Sequence, residues 1–506
     1  MDSDNKNGKT SRLLFYAFLL VYAGVMLYLS QVLNIWMDEA YTLDTTSAKY
    51  SLSGVIHQSY FFESQPPAYF IILWLWRKIN DTVFFARVFS LINIGLAAWY
   101  FYKILIKITT QQLTKWMLVI FLLNPFVVFI GLEIRLYAFL IFLSAAAIYH
   151  YLKYFEENSR QHLFIFLGIC LLGMYMQYFF AFLITALLLA TLVYGGWKKA
   201  FYTGLYIIPV VLLFLPNVFV MKDQLGMVQT LKFELSVPQR ISAVLHSPQN
   251  LLLSLGNLIA PQWIRHVILL VFAGLLLYTY SVAYKKNKTS PTAFFKTINF
   301  LLLTAIAAIV MMAAFITVTG IDHVDRYFTI IMPILILSYC LVSIYNYKTT
   351  IFLFSAYTVY LAVIFIYNYG SPVKEYDYKK VAAYIKSKEN SNEPLLFYHS
   401  TLALPFRYYY KGNNRTVPVP HEVPFDNTYM ANVKDTAELQ QCIESNRMGS
   451  PSFLLISDLT EKQYQNNSNR IMVNNFLNTK YTLAFDTLYF GASKNRPLRI
   501  RRYFFK

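Results

Sequence analysis

The residues of this chain best suited to chemistry are three carboxylates in one short stretch. Asp38 and Glu39 are adjacent in NIWMDEAYT, and Glu63 follows in FFESQPPAYF, just ahead of Pro66 and Pro67. The stretch lies directly after a long apolar run. A carboxylate at mid-bilayer costs roughly 2.5–3.5 kcal/mol on insertion scales, so acids gathered at the edge of an apolar segment point to a reaction centre at a membrane surface. A carboxylate partly withdrawn from water is a better proton acceptor near neutral pH. The expected role is that of a general base at the mouth of an outward-facing cavity, and Trp36 and Tyr41 beside the pair suit an interfacial pocket. The plain alternatives are a solvated turn for the pair and, for Glu63, a helix-start carboxylate favoured by the macrodipole.

A second set of polar residues stands at predicted helix ends. Glu133 and Arg135 lie in NPFVVFIGLEIRLYAFL, Arg326 and Tyr327 in DRYFTIIMPIL, and Gln177 and Tyr178 in MYMQYFF. A guanidinium at the membrane edge can grip a phosphate bidentately; snorkelling is the commoner fate of a lone arginine there. Gln177 with Tyr178 reads equally as a helix–helix hydrogen bond. The chain has no G-x-x-x-x-G-K-[ST], no G-x-S-x-G and no H-E-x-x-H. A nucleotide-dependent cytoplasmic site is therefore unsupported, and an energy-rich substrate is expected from the membrane itself.

The elements that must position these residues are apolar helices. The 506 residues are 57% hydrophobic and 14% charged, against roughly 25% charged in soluble domains, and mean hydropathy is +0.43. The formal net charge of +18 fits Lys/Arg-rich cytoplasmic loops rather than a nucleic-acid site. Apolar runs of spanning length fall at 13–32, 84–102, 116–131, 136–153, 162–178, 179–196, 201–220, 264–284, 297–319, 327–345 and 350–369, about eleven in all. The first is too long for a signal-peptide core and reads as an uncleaved anchor with the N-terminus inside. Residues 66–80 read as an interfacial helix, because a span there would carry Lys103, Lys107 and Lys115 outside against the positive-inside rule; a short tilted span is the alternative. This topology places Asp38, Glu39, Glu63, Glu133, Arg135, Gln177, Asp322, Asp325 and Arg326 on the extracytoplasmic face. Cys170, Cys340 and Cys442 have neither metal-ligand spacing nor a disulfide framework.

The outer connection 221–262 is expected to hold a helix near 240–258. From about residue 371 the composition changes. EYDYKKVAAYIKSK reads as an amphipathic helix, and PLLFYHS, SFLLISDL, YTLAFDTLYF and LRIRRYFF read as strands. The expected organisation is a membrane module over 1–370, its first extracytoplasmic loop 33–83 carrying the acids, and a soluble extracytoplasmic α/β domain over 371–506.

Taken in order, these motifs resemble the GT-C glycosyltransferases, in particular the bacterial family-39-like relatives of protein O-mannosyltransferases and of the lipid A aminoarabinose transferase. Asp38-Glu39 is similar to the family's acidic pair after the first span. The stretch Glu63-Ser64-Gln65-Pro66-Pro67-Ala68-Tyr69-Phe70 resembles D-x-H-P-P-L-Y-Y. ARVFS, with Arg87 and Ser90, resembles A-R-x-x-S. NPFVVFIGLEIRLYAFL resembles N-P…E-x-R-x-Y-x-L, MYMQYFF resembles Y-T-H-Y-F, and DRYFTIIMPIL resembles R-Y…P. The chain departs where Glu63, Gln65 and Gln177 replace the family's Asp and two His, which removes imidazole chemistry from both positions.

The resemblance implies a mainly α, polytopic transmembrane bundle of the GT-C type, with interfacial helices and a C-terminal extracytoplasmic α/β domain. It implies a bacterial inner-membrane enzyme that moves a sugar, with inversion, from a polyprenyl-phosphate donor to a glycan, lipid or protein acceptor. Asp38 would act on the acceptor hydroxyl, with Glu39 and Glu63 orienting the acceptor or steering a cation. Arg135 and Arg326 would hold the lipid phosphate, and Glu133, Gln65, Tyr69, Gln177, Tyr178 and Tyr327 would complete the substrate site. A divalent cation, at Asp38 and Glu63, is the one cofactor left open. Membrane lipids are further partners, and nucleic acid is not. The alternatives are a lipid-linked saccharide flippase and a GT-C-fold scaffold without activity.

Overall fold

The computed structural model describes residues 2–230, 237–253, 262–287, 292–320, 325–344, 347–371, 373–374, 376–422, 432–458, 468–490 and 497–506. The chain forms two compact units. One comprises Met1–Ser30, Ala48–Tyr60 and Ser64–Asn368; the other comprises Gln31–Ser47, Phe61–Glu63 and Tyr369–Lys506. All three acids of the first loop belong to the second unit.

The first unit is helical. Among the described residues six helices are long and apolar enough to cross a membrane: Arg12–Val32, Val83–Ile108, Tyr137–Glu157, Phe180–Gln224, Phe294–Thr319 and Lys348–Tyr369. Gln111–Leu123 with Pro125–Gly131 makes a seventh if a pair bent by 59° counts as one. This is fewer than eleven, and the reasons are local. Arg160–Met176 has 17 residues, roughly 26 Å of rise against a hydrocarbon core of about 30 Å. Phe180–Thr230 counts once although it holds two of the expected spans, 179–196 and 201–220, which part at Gly196, where φ is 79°. The expected span 327–345 is cut into a 3-10 turn Asp325–Ile331, a helix Met332–Leu337 and a second 3-10 turn Ser338–Ile344. The expected run 264–284 lies within the helix Gln262–Asn287, and the helix near 240–258 is Val237–Leu253.

Caps and prolines set the breaks. The side chain of Asn124 accepts from Phe126 N and Val127 N at 3.0 and 3.3 Å, and Pro125 takes the first helical position. Proline tolerates that place because its missing N–H has no intrahelical partner there. The bend at Asn124 is followed by Leu132–Leu136, a buried non-helical stretch carrying Glu133 and Arg135. Pro67 is the N-cap of Ala68–Arg77, whose ten residues rise about 15 Å, half of what a crossing needs. A cavity of about 830 Å³ lies among the helices Asp2–Val32, Val83–Ile108 and Gln111–Leu123; its lining is mostly apolar and includes none of the predicted site residues.

In the second unit a five-stranded sheet runs in the order β2-β1-β3-β5-β4, with β1 Leu395–Tyr398, β2 Thr416–Pro418, β3 Ser452–Ser457, β4 Thr482–Phe490 and β5 Pro497–Phe504. β1 pairs in parallel with β2 and β3; β5 is antiparallel to β3 and β4. Four strands match the expected runs. β2 has three residues and ends on proline, too short for a period-2 signal. The amphipathic helix is Tyr378–Lys388, capped by Asp377, whose carboxylate accepts from Lys380 N at 3.1 Å. It packs with Ala403–Tyr409 on the face of Leu395, Phe397, Leu454, Ile456 and Ile500. The helices Thr436–Ser445 and Ser468–Lys480 cover the other face, against Leu396, Tyr398, Leu455 and Tyr503.

Candidate functional site

The acidic loop is built into the sheet-containing unit. Asp38 and Glu39 occupy the first turn of the helix Met37–Thr45, where the dipole and the open backbone N–H groups favour negative charge. Their surroundings differ. Glu39 is fully buried, and its Oε1 lies 3.1 Å from Nζ of Lys374, itself 9% exposed. Glu63 is buried and accepts from Thr42 Oγ1 at 3.0 Å. Asp38 is the partly exposed member of the three.

Asn34 anchors the loop. Its Nδ2 donates to the carbonyls of Lys374 and Tyr376 at 2.8 and 2.6 Å, and its Oδ1 accepts from Lys374 N at 2.6 Å. Ile35 N donates to the Tyr409 hydroxyl at 2.6 Å, and Tyr41 meets Phe62 edge-on at 5.2 Å. Ser64, at φ 52°, turns the chain after Glu63 through the left-handed region that few side chains adopt. Lys374, Asn34 and Thr42 were not among the expected residues. Lys374 stands just past the last apolar run, where a lone lysine carries no motif.

The remaining predicted residues lie in the helical unit. Glu133 is fully buried and Arg135 is 8% exposed; the Glu133 carbonyl accepts from Ser90 Oγ at 2.6 Å. Arg87, buried in the ARVFS segment, donates from Nη1 to Ser30 O at 3.1 Å. The Arg326 guanidinium sits 5.3 Å from the ring centre of Tyr137, two residues after Arg135. Tyr327 stacks on Phe179 at 4.5 Å. Gln177 is buried at the C-cap of Arg160–Met176, and the Tyr178 hydroxyl donates to Gln224 Oε1 at 2.7 Å. Tyr69 is buried against Phe70 and Phe89, and half-buried Gln65 gives its backbone N–H to Ser59 O at 2.9 Å. Asp325 bonds the hydroxyl of Ser247; Asp322 lies outside the described residues. Among the described residues no group of three or more His, Cys, Asp or Glu could hold a metal ion.

The sheet-containing unit holds a further buried polar cluster. Arg470 Nη2 pairs with Asp458 Oδ1 at 2.8 Å, and Arg470 bonds His399 Nε2 at 2.6 Å through Nη2 and 3.2 Å through Nε. Burial, with the Arg470 charge second, pushes the His399 imidazole down to about 4. Nε2 is thus an acceptor and the neutral ring keeps its proton on Nδ1. From pH 6.5 down to 4 the unfolded chain binds a proton at this residue that the folded chain refuses. Stability contributed by neutral His399 is full above pH 6.5 and falls by about 3 kcal/mol across that window. Burial raises the Asp458 carboxyl, which works in the opposite sense near the acid end. His399→Gln is expected to flatten the acid limb of a melting-temperature profile taken between pH 7 and 4; an unchanged limb would exclude this source.

The fold and the described helices define a multi-pass membrane protein with the GT-C-type fold. The particular structures it is similar to are two of ArnT. The crystal structure of ArnT from Cupriavidus metallidurans in the apo state aligns over 98% of each chain with a TM-score of 0.55 and 12% identity. ArnT from the same organism bound to undecaprenyl phosphate aligns over 97% of each chain with a TM-score of 0.49 and 12% identity. No family model and no curated protein matches the chain.

Proposed function

We propose that this chain is an integral-membrane glycosyltransferase that moves a sugar from a polyprenyl-phosphate donor to an acceptor hydroxyl on the extracytoplasmic side of the bacterial inner membrane. The observation that carries this reading is the contrast within the acidic loop. Glu39 and Glu63 are buried and held by Lys374 and Thr42, while Asp38 stays partly exposed at the head of its helix. That division suits one working carboxylate on an anchored support, as a catalytic group needs.

Asp38 takes the acceptor proton as the acceptor oxygen attacks the anomeric carbon. The bond from that carbon to the phosphate oxygen breaks, its electron pair leaves with the polyprenyl phosphate, and the configuration inverts. Charge on the departing phosphate grows in the transition state, where guanidinium groups stabilise it most. Arg135 and Arg326 are assigned this role in the helical unit. The absence of nucleotide-binding motifs supports a lipid-borne donor, and the positive-inside pattern supports the side of the reaction.

Arg135→Ala and Arg326→Ala are each expected to lower kcat by about 10²–10³-fold, the cost of losing one donor aimed at developing charge. Donor turnover in nanodiscs measures this, and unchanged kcat in both variants would remove the arginines from the reaction. The anomeric configuration of the product, read by NMR, is expected to be opposite to that of the donor. Retention would contradict a single displacement.

A further inference from the structure

The proposed sugar transfer leaves the 830 Å³ cavity of the helical unit unused. The helices Asp2–Val32, Val83–Ile108 and Gln111–Leu123 enclose it. The first two run antiparallel: Arg87 Nη1 bonds Ser30 O at 3.1 Å, and Met26 and Ile94 both pack against Gly131. Followed away from that level, Arg12 and Tyr16 of one helix come to the same end as Trp99 and Tyr102 of the other. Gln111–Leu123 begins at this end too. Phe121 stacks on Phe101 at 4.8 Å, and Lys115 lies nearer the helix start.

The lining is sorted along this axis. Arg12, Tyr16, Trp99, Tyr102, Gln111 and Lys115 hold the end where the chain enters its first apolar helix. Beyond them, Tyr22 aside, the wall is apolar. From Tyr16 to Leu27 it rises about 16 Å, half of a hydrocarbon core of about 30 Å. Leu27, Ile92 and Trp99 are exposed, so the space is open to the medium around the helices, which for spanning helices is lipid. Trp and Tyr gather at the headgroup level of a bilayer, and here they stand beside the charges. The described lining residues include two cations and no acid.

A basic mouth over an apolar slot one leaflet deep suits a lipid whose head is negative and whose chain lies along the slot. Guanidinium and ammonium groups give phosphate oxygens charge-assisted bonds, and the Gln111 amide and the tyrosine hydroxyls can donate as well. Basic pockets between spanning helices hold anionic headgroups in this way. The donor phosphate of the proposed transfer belongs elsewhere. Ser90 Oγ bonds the Glu133 carbonyl, two residues before Arg135, and Ser90 lies about 18 Å from Tyr102 along the same helix.

We propose that this cavity is a binding site for an anionic glycerophospholipid, its phosphate held by Arg12 and Lys115 and an acyl chain lying between the helices. On the topology that the positive-inside pattern supports, the lipid comes from the cytoplasmic leaflet. The test uses the full-length protein in detergent. Thermal unfolding is followed as phosphatidylglycerol is added, with phosphatidylcholine as reference, and native mass spectrometry counts the lipids retained. The expected result is one phosphatidylglycerol per chain and a saturable rise in melting temperature that phosphatidylcholine does not give. The Arg12→Gln/Lys115→Gln double variant should weaken that binding by about 30-fold, as two cations are lost from the headgroup level. Gly95→Leu tests the slot itself. A side chain at Gly95 meets nothing within 4 Å, so leucine enters the cavity without a clash and should displace the acyl chain. If the charge variant fails to fold, Gly95→Leu decides. Equal shifts with the two lipids would overturn the proposal, as would an affinity unchanged in Gly95→Leu or the retention of polyprenyl phosphate in place of phosphatidylglycerol. The readout is lipid binding rather than transfer, so this outcome is independent of the glycosyltransferase reading.

Discussion

Asp38→Asn is expected to reduce sugar transfer by about 10²–10⁴-fold, the usual contribution of a positioned general base, while the protein accumulates normally in the membrane. Asparagine keeps the size of the side chain and most of its hydrogen-bonding capacity; it removes the basicity. Because Asp38 is partly exposed at a helix start, the variant is expected to keep the fold. Transfer assayed with a polyprenyl-phosphate sugar in nanodiscs, together with melting curves for both proteins, separates loss of chemistry from loss of fold. Full transfer by a well-folded Asp38→Asn protein would take the base role away from this residue.

The second large effect is on stability. Lys374→Met is expected to destabilise the sheet-containing unit by about 3–5 kcal/mol, because it strips a fully buried carboxylate of its counter-charge. Adding Glu39→Gln should restore most of the loss, since the charge is then gone from both sides. The single variant should also lose transfer, as Glu39 is the residue next to Asp38 and shares its helical turn. Denaturant melts of Lys374→Met, Glu39→Gln and the double variant form a cycle that isolates the pair. Additive losses would mean that Lys374 and Glu39 do not support each other.

Much of this arrangement is visible in sequence because it is local. The apolar periods mark the long helices, the Asp377 cap marks the start of Tyr378–Lys388, and alternation marks four of the five strands. The acids, the two arginines and the glutamines stand out because charge and amide groups are rare in apolar sequence. What stays hidden depends on partners far along the chain. Asn34 clamps Lys374 across 340 residues, and nothing near either position announces it. The break inside the expected span 116–131 escapes for another reason: a bend at Asn124–Pro125 changes the path of the helix without changing its hydropathy. The difference in burial among Asp38, Glu39 and Glu63 likewise stays hidden, because three similar carboxylates in one short stretch do not reveal it.

The central claim is that this protein breaks the bond between a sugar and a polyprenyl phosphate. Mass spectrometry of the lipid fraction from purified protein in nanodiscs, incubated with polyprenyl-phosphate sugar with and without an acceptor glycan or lipid, tests it most directly. The predicted result is acceptor-dependent appearance of bare polyprenyl phosphate, one per sugar transferred. Recovery of the lipid-linked sugar intact, and merely moved from one leaflet to the other, would contradict the claim and make the protein a flippase.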